Sequence, residues 1–166
     1  MRLQNECRMS DSRKPLHRIF SAVPPSYDSV NRVITLGLDA RWRKLAAKEC
    51  LSTGPSRILD ACCGTGDLAL SIASMANSDA QIVGLDYSEP MLEIAAEKAI
   101  KRDLSSQIEF QHGDVSELPF QDAHFDCVGI SFAFRNITYK NPMTSRYLAE
   151  IYRVIRPGGR LVIVES

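Results

Sequence analysis

The run Ile58-Leu59-Asp60-Ala61-Cys62-Cys63-Gly64-Thr65-Gly66-Asp67-Leu68 constrains this chain more than any other stretch. An apolar segment ends in an acid, a short loop with two glycines follows, and a second acid opens a helical pattern. That order is strand, tight turn and helix N-terminus, the layout of a nucleotide-type binding turn. Charge narrows the ligand. Carboxylates at Asp60 and Asp67 would flank the loop and repel phosphates, whereas a cationic ligand would be attracted. S-adenosylmethionine (SAM) carries a sulfonium, an ammonium and an adenosine, and no phosphate. Gly64-Thr65-Gly66-Asp67-Leu68-Ala69 also fits a dinucleotide fingerprint. A pyrophosphate would then have to sit at the helix mouth, where Asp67 stands.

From about residue 57 onward, β-rich runs alternate with helical patterns. Strands are predicted at Arg57–Ala61, Gln81–Leu85, Gln107–Gln111, Asp126–Ser131 and Arg160–Glu165. Helices are predicted at Asp67–Ala76, Glu89–Lys101 and Pro142–Ile155, the second with Ser88 as N-cap and Pro90 in its first turn. Pro157-Gly158-Gly159 should close the last helix and turn into the final strand. Such alternation predicts a parallel, doubly wound α/β sheet with a Rossmann-like layout. Two more helical patterns precede it, Ser26–Leu36 and Asp39–Leu51, the second with Trp42 and Leu45 on one face. They serve either as core packing or as a lid over the ligand. The expected organisation is a frayed tail over 1–18, a helical lid over 19–52 and a SAM-binding domain over 53–166.

Composition excludes several classes. The formal net charge is zero, which offers no footprint for nucleic acid. Five cysteines, two adjacent and none in a C-x-x-C, support neither a disulfide framework nor a zinc site, and no metal is expected. A reducing cytoplasm is the simpler compartment. The first 18 residues lack the apolar stretch of a secretory signal, and no apolar run would span a bilayer. The sequence stops at Ser166, just after the last predicted strand. A bare strand edge invites association, so further chain or a partner, including a second copy, should cover it.

Candidate ligand contacts sit at predicted strand ends, where open α/β sheets bind ligands. Gly64 and Gly66 let backbone approach a ligand, and Thr65 offers a hydroxyl. Asp86, twenty residues after Gly66, is placed to accept from ribose hydroxyls. In a nucleoside pocket Asp114 would accept from an adenine amino group while Val115 packs on the ring. His112 has no metal-ligand partners in the sequence and is read as structural. Ser131-Phe132-Ala133-Phe134-Arg135-Asn136 gathers aromatics and an Arg-Asn pair at another strand end. Arg135 is suited to stabilise an oxyanion and Asn136 to orient it; the alternative is that Arg135 caps the next helix or pairs with Glu150.

Asp60 to Asp67, Asp86, Gly113-Asp114 with Leu118-Pro119-Phe120, and Arg156-Pro157-Gly158-Gly159 together resemble class I SAM-dependent methyltransferases. Phe20-Ser21-Ala22-Val23, then Tyr27-Asp28-Ser29-Val30-Asn31 with Gly37 and Trp42, is similar to the N-terminal signature of UbiE/MenG-type quinone C-methyltransferases. Ser131-Phe132 with Arg135-Asn136 resembles that family's second signature. Two departures stand out: Val23-Pro24-Pro25-Ser26 replaces the usual alanine-and-basic link, and Ala133 stands where glycine is common.

The resemblance implies a sheet of order 3-2-1-4-5 with helices on both faces and without the family's last strands. It places SAM contacts on Thr65, Asp86, Asp114, Val115 and Ser131. It further implies methyl transfer to a ring carbon of a prenylated quinol, demethylmenaquinol to menaquinol being favoured. Arg135 would stabilise a phenolate-like oxygen, with Asn136 or Tyr27 positioning the substrate. The apolar tail of such a substrate calls for transient contact with the membrane surface. Two other readings stand beside this one: a methyltransferase of another small molecule, and a truncated, non-catalytic SAM-binding subunit.

Overall fold

The computed structural model describes residues 38–165. Tyr27, the Ser26–Leu36 pattern, the tail over 1–18 and the N-terminal signature from Phe20 to Gly37 lie outside the described residues. The elements in chain order are α1 (Leu38–Leu51), β1 (Arg57–Ala61), α2 (Asp67–Ala73), β2 (Gln81–Asp86), α3 (Glu89–Lys101), β3 (Ile108–His112), β4 (Phe125–Ser131), α4 (Phe134–Thr138), α5 (Thr144–Val154) and β5 (Ile155–Val164). All neighbouring strands pair in parallel, in the order β3-β2-β1-β4-β5. The order reverses between β1 and β4, so their carboxyl ends flank the crevice where such sheets take ligands.

The sheet is central because its inner strands are apolar on both faces. β4 is buried through Ile130, and β1 is buried after Arg57. Alternate residues feed two cores. Ile58, Ile82 and Cys127 pack with Leu68, Ile72 and Ala47 beneath α1 and α2. Leu59, Leu85 and Val128 pack with Ile151 and Val154 of α5 on the other face.

Helix α1 presents a different face from the one expected. Ala46, Ala47 and Cys50 are buried, whereas Leu45 is 55% exposed. Small residues win because α1 lies close against α2 and the sheet, and a leucine at 45 projects past that contact. The other end of the helix, with Asp39, Trp42 and Arg43, reaches the carboxyl ends of the strands.

The second difference is at Arg156-Pro157-Gly158-Gly159. No turn separates α5 from β5; the strand starts at Ile155, directly after Val154. Pairing jumps from Phe125↔Ile155 to Cys127↔Arg160, so residues 156–159 bulge opposite Asp126. Gly158 has φ 78, and a side chain at Gly159 would come within 2.9 Å of the Asp126 carbonyl. The glycines thus shape a bulge inside the strand.

Asp126 fastens this region. One carboxylate oxygen accepts from the Ser56 and Arg57 amides at 2.7 and 2.8 Å. The other pairs with Arg156 Nε at 2.9 Å. Burial alone would raise this carboxyl, but the two amides and the guanidinium together hold it below the usual range. Asp126→Ala leaves two amides unpaired and is expected to cost about 2–3 kcal/mol. The urea midpoint should fall with the m-value unchanged; an unshifted midpoint would mean the amides find other partners.

Candidate active site

The chain leaves β1 and turns sharply. Cys62, Gly64 and Gly66 have φ of 57, 55 and 77, all left-handed. Glycine adopts that region freely, but Cys62 does so at a cost of order 1 kcal/mol or more. The loop is tied down by Cys63 N–H donating to the Leu85 carbonyl at 3.0 Å and Gly66 N–H donating to the Cys63 carbonyl at 2.9 Å. Asp86, at the end of β2, accepts the Gly64 amide at 2.8 Å and, with its other oxygen, the Ser88 amide at 2.9 Å. Asp86 therefore positions the loop; each of its oxygens keeps a further lone pair for a ligand hydroxyl.

Asp60 is fully buried beneath the loop and accepts the Ala69 amide of α2 at 2.9 Å. Its other oxygen has no partner among the described residues. Loss of water pushes its carboxyl up to about 8 despite the opposing amide, so at pH 7 it is mostly a neutral acid. Asp67 is not a free charge either: Lys98 Nζ of α3 lies 2.8 Å from one oxygen, and Arg43 Nη1 of α1 lies 3.5 Å from the other. Lys98 also donates to the Thr65 carbonyl and hydroxyl at 3.2 and 3.0 Å.

These facts correct the charge argument made from sequence. The loop does not present two bare carboxylates. A pyrophosphate is instead disfavoured because the Ala69 amide is already taken by Asp60 from within the chain.

Beyond β3, Asp114 accepts the Ser116 amide at 2.7 Å and is exposed, while Val115 is buried beside Leu85 and Leu118. At the end of β4 the Ser131 hydroxyl is buried, with no partner among the described residues. Phe132 follows with φ 56, its amide donating to the Val164 carbonyl at 2.8 Å. Its ring lies 6.2 Å from that of Trp42, and the Arg43 guanidinium sits 4.9 Å over it. Arg43, also 2.6 Å from Asp39, thus joins α1 to both the glycine loop and the segment after β4.

Arg135 and Asn136 lie on α4 and are exposed. The Arg135 amide donates to Glu165 at 3.0 Å, and its guanidinium lies 5.5 Å over Tyr139. Glu150, the alternative partner for Arg135, is taken by Arg153 at 2.7 Å. His112 Nε2 donates to the Tyr87 carbonyl at 3.0 Å. No group of residues that could hold a metal occurs among the described residues. No helix among them is long and apolar enough to cross a membrane.

Arg43 and Lys98 carry no local signal in the sequence. Lys98 lies 31 residues beyond Asp67 and meets it only because α3 folds back over α2.

The set of residues fits SAM. Left-handed backbone turns the loop sharply after β1, carboxylates stand at the end of β2 and after β3, Val115 is a buried apolar residue beside them, and the Ser131 hydroxyl is a buried polar group with no partner among the described residues.

The model of the ubiE/COQ5 methyltransferase family matches residues 7–166. Demethylmenaquinone methyltransferase of Deinococcus radiodurans is 42% identical over 155 residues, which is 93% of this chain and 61% of that protein. The Thermus thermophilus enzyme of the same name is 45% identical over 147 residues, covering 89% of this chain and 64% of that one. This chain therefore spans about three fifths of the length of the first curated relatives it matches. Among solved structures, the cyclase SpnF aligns with a TM-score of 0.66 at 34% identity, over 76% of this chain and 44% of SpnF. A SAM-dependent methyltransferase from Aquifex aeolicus aligns with a TM-score of 0.59 at 24% identity, over 66% of this chain and 56% of that one, and shows the shared fold.

Proposed function

Because this chain belongs to the ubiE/COQ5 methyltransferase family, we propose that it carries the SAM-binding half of a quinol C-methyltransferase, with demethylmenaquinol the favoured substrate. The observation that carries the reading is the left-handed loop after β1, fastened by Asp86 and roofed by Arg43 and Lys98. When bound, SAM supplies an electrophilic methyl group on its sulfonium. The loop backbone and Thr65 hold the amino-acid end, Asp86 accepts from the ribose, and Asp114 with Val115 takes the adenine. Asp60 stays beneath as a neutral acid that fixes the start of α2. Ser131 and the Trp42–Phe132 pair would line the site beside the cofactor and help hold the quinol ring.

A quinol carbon ortho to a hydroxyl is nucleophilic, and more so once that hydroxyl is deprotonated. Arg135 stabilises the resulting oxyanion and Asn136 orients it, with Tyr27 as a further positioning partner. The chain's main task is alignment of the two reactants, with Arg135 adding electrostatic stabilisation. A prenylated substrate brings the protein to the membrane surface transiently.

Calorimetric titration with SAM, with NAD as control, tests the cofactor. Saturable binding of SAM and silence with NAD are expected. A folded chain that takes NAD and not SAM would overturn the reading. Arg135→Ala should lower quinol methylation about tenfold at unchanged SAM affinity, less than for a buried oxyanion donor because Arg135 is exposed. Undiminished turnover would remove Arg135 from the site.

A further inference from the structure

One face of α5 is occupied by charged residues that reach a single loop. Arg146, Glu150 and Arg153 lie at i, i+4 and i+7, so they project from one side of the helix. All three engage the segment between β3 and β4. Arg146 Nε donates to the Ser116 carbonyl at 2.7 Å. Glu150 accepts the Leu118 amide at 2.8 Å. Arg153 donates to the Leu118 carbonyl at 2.9 Å, to the Phe120 carbonyl at 2.7 Å and to Asp122 at 2.9 Å. Arg153 also binds Glu150 at 2.7 Å, and that bond is the main reason the Glu150 carboxyl stays below the usual range.

The pattern of contacts sets this face apart from ordinary surface ion pairing. Three carbonyls are held at residues 116, 118 and 120, every second residue. Bonds to backbone fix the path of a chain whatever side chains it carries. The middle of the segment is anchored by burial, since Leu118 is 3% exposed. Its exposed start, where Asp114 accepts the Ser116 amide, is held from outside the loop by Arg146.

We infer that this face of α5 is a clamp that sets the position of Asp114 and Val115, making Arg146 and Arg153 positioning residues for recognition of the adenine base. The inference rests on the reading of this segment as the adenine-binding one. Arg146 acts through Ser116 on Asp114. Arg153 acts through Leu118 and Phe120 on the path that carries Val115. Neither side chain touches the ligand itself.

The test compares S-adenosylhomocysteine with its purine-riboside counterpart, in which a hydrogen atom replaces the adenine amino group. Asp114 accepts from the amino group and has nothing to accept from that edge without it, so the wild-type chain should prefer the adenosyl ligand by at least about tenfold. Arg146→Ala removes a half-exposed side chain and should leave the thermal midpoint in place. Arg153→Lys keeps a charge beside Glu150 but cannot bridge two carbonyls and Asp122 at once.

Both variants are expected to cut the preference to about threefold or less, chiefly by weakening the adenosyl ligand. A preference kept within twofold of wild type would overturn the clamp. So would equal weakening of both ligands, the signature of a merely structural role. A wild-type chain that binds both ligands equally would remove this loop from adenine recognition and the clamp with it. Failure of the folded wild-type chain to bind either ligand would instead overturn the SAM reading itself.

Discussion

Gly66→Ala should destabilise the chain by about 2–4 kcal/mol and abolish SAM binding. Gly66 is the N-cap of α2, with φ 77 and ψ 14. An L-residue there costs about 1 kcal/mol for the backbone alone. The new methyl would also lie 2.8 Å from the Ala95 Cβ and 2.9 Å from the Phe110 ring. Ala95 belongs to the buried face of α3, and Phe110 stands on β3. Neither can retreat without moving an element, and such overpacking costs a further 1–3 kcal/mol. Gly54 provides the internal control. Its φ is 65, yet nothing lies within 4 Å of an added methyl, so Gly54→Ala should show the backbone cost alone, about 1 kcal/mol. Urea midpoints of the two variants decide the matter. Equal losses would show that the α2–α3–β3 contact yields easily and that the loop is not closely packed.

The second large effect is a pH dependence. Burial raises the Asp60 carboxyl to about 8 from an ordinary value of 3.8. Between those values the folded chain holds a proton that the unfolded chain has lost. Stability from this group is therefore fully present below about pH 4 and is lost as pH rises through about 8. The full span corresponds to roughly 5–6 kcal/mol. Asp126 and Glu150, both held below their ordinary range, act in the opposite sense. Their contribution is present above the usual carboxylate range and is lost in acid. The chain should therefore be most stable in mildly acidic solution and weaken steadily toward pH 8. Asp60→Asn keeps an oxygen for the Ala69 amide and cannot ionise, so it should flatten the slope between pH 5 and about 8. Parallel slopes for the two proteins, measured as urea midpoints across that span, would remove Asp60 as the source.

The alternating strands and helices were readable because each inner strand is a short apolar run bounded by a turn signal. Arg57–Ala61 and Glu89–Lys101 have the predicted ends. Where the reading differed, the deciding interactions were non-local. Leu45 looks like a core residue on its own helix, and only the close approach of α1 to α2 excludes it. Pro157-Gly158-Gly159 has the composition of a turn, but pairing with β4 draws it into a strand as a bulge. At the site, the residue types at the strand ends announced their places, and the partners of those residues did not. Asp67 and Asp60 were both visible as acids. That one is matched by Lys98 and the other is neutralised by burial depends on residues or solvent exclusion supplied by the fold.

The direct passage from α5 into β5 has a mechanical consequence. With no loop at Val154–Ile155, the C-terminal end of α5 places only the first residue of β5, Ile155 opposite Phe125. The four bulged residues that follow take up slack before pairing resumes at Arg160. The register of Arg160–Val164 can therefore loosen while Arg146, Glu150 and Arg153 keep their grip on the segment before β4.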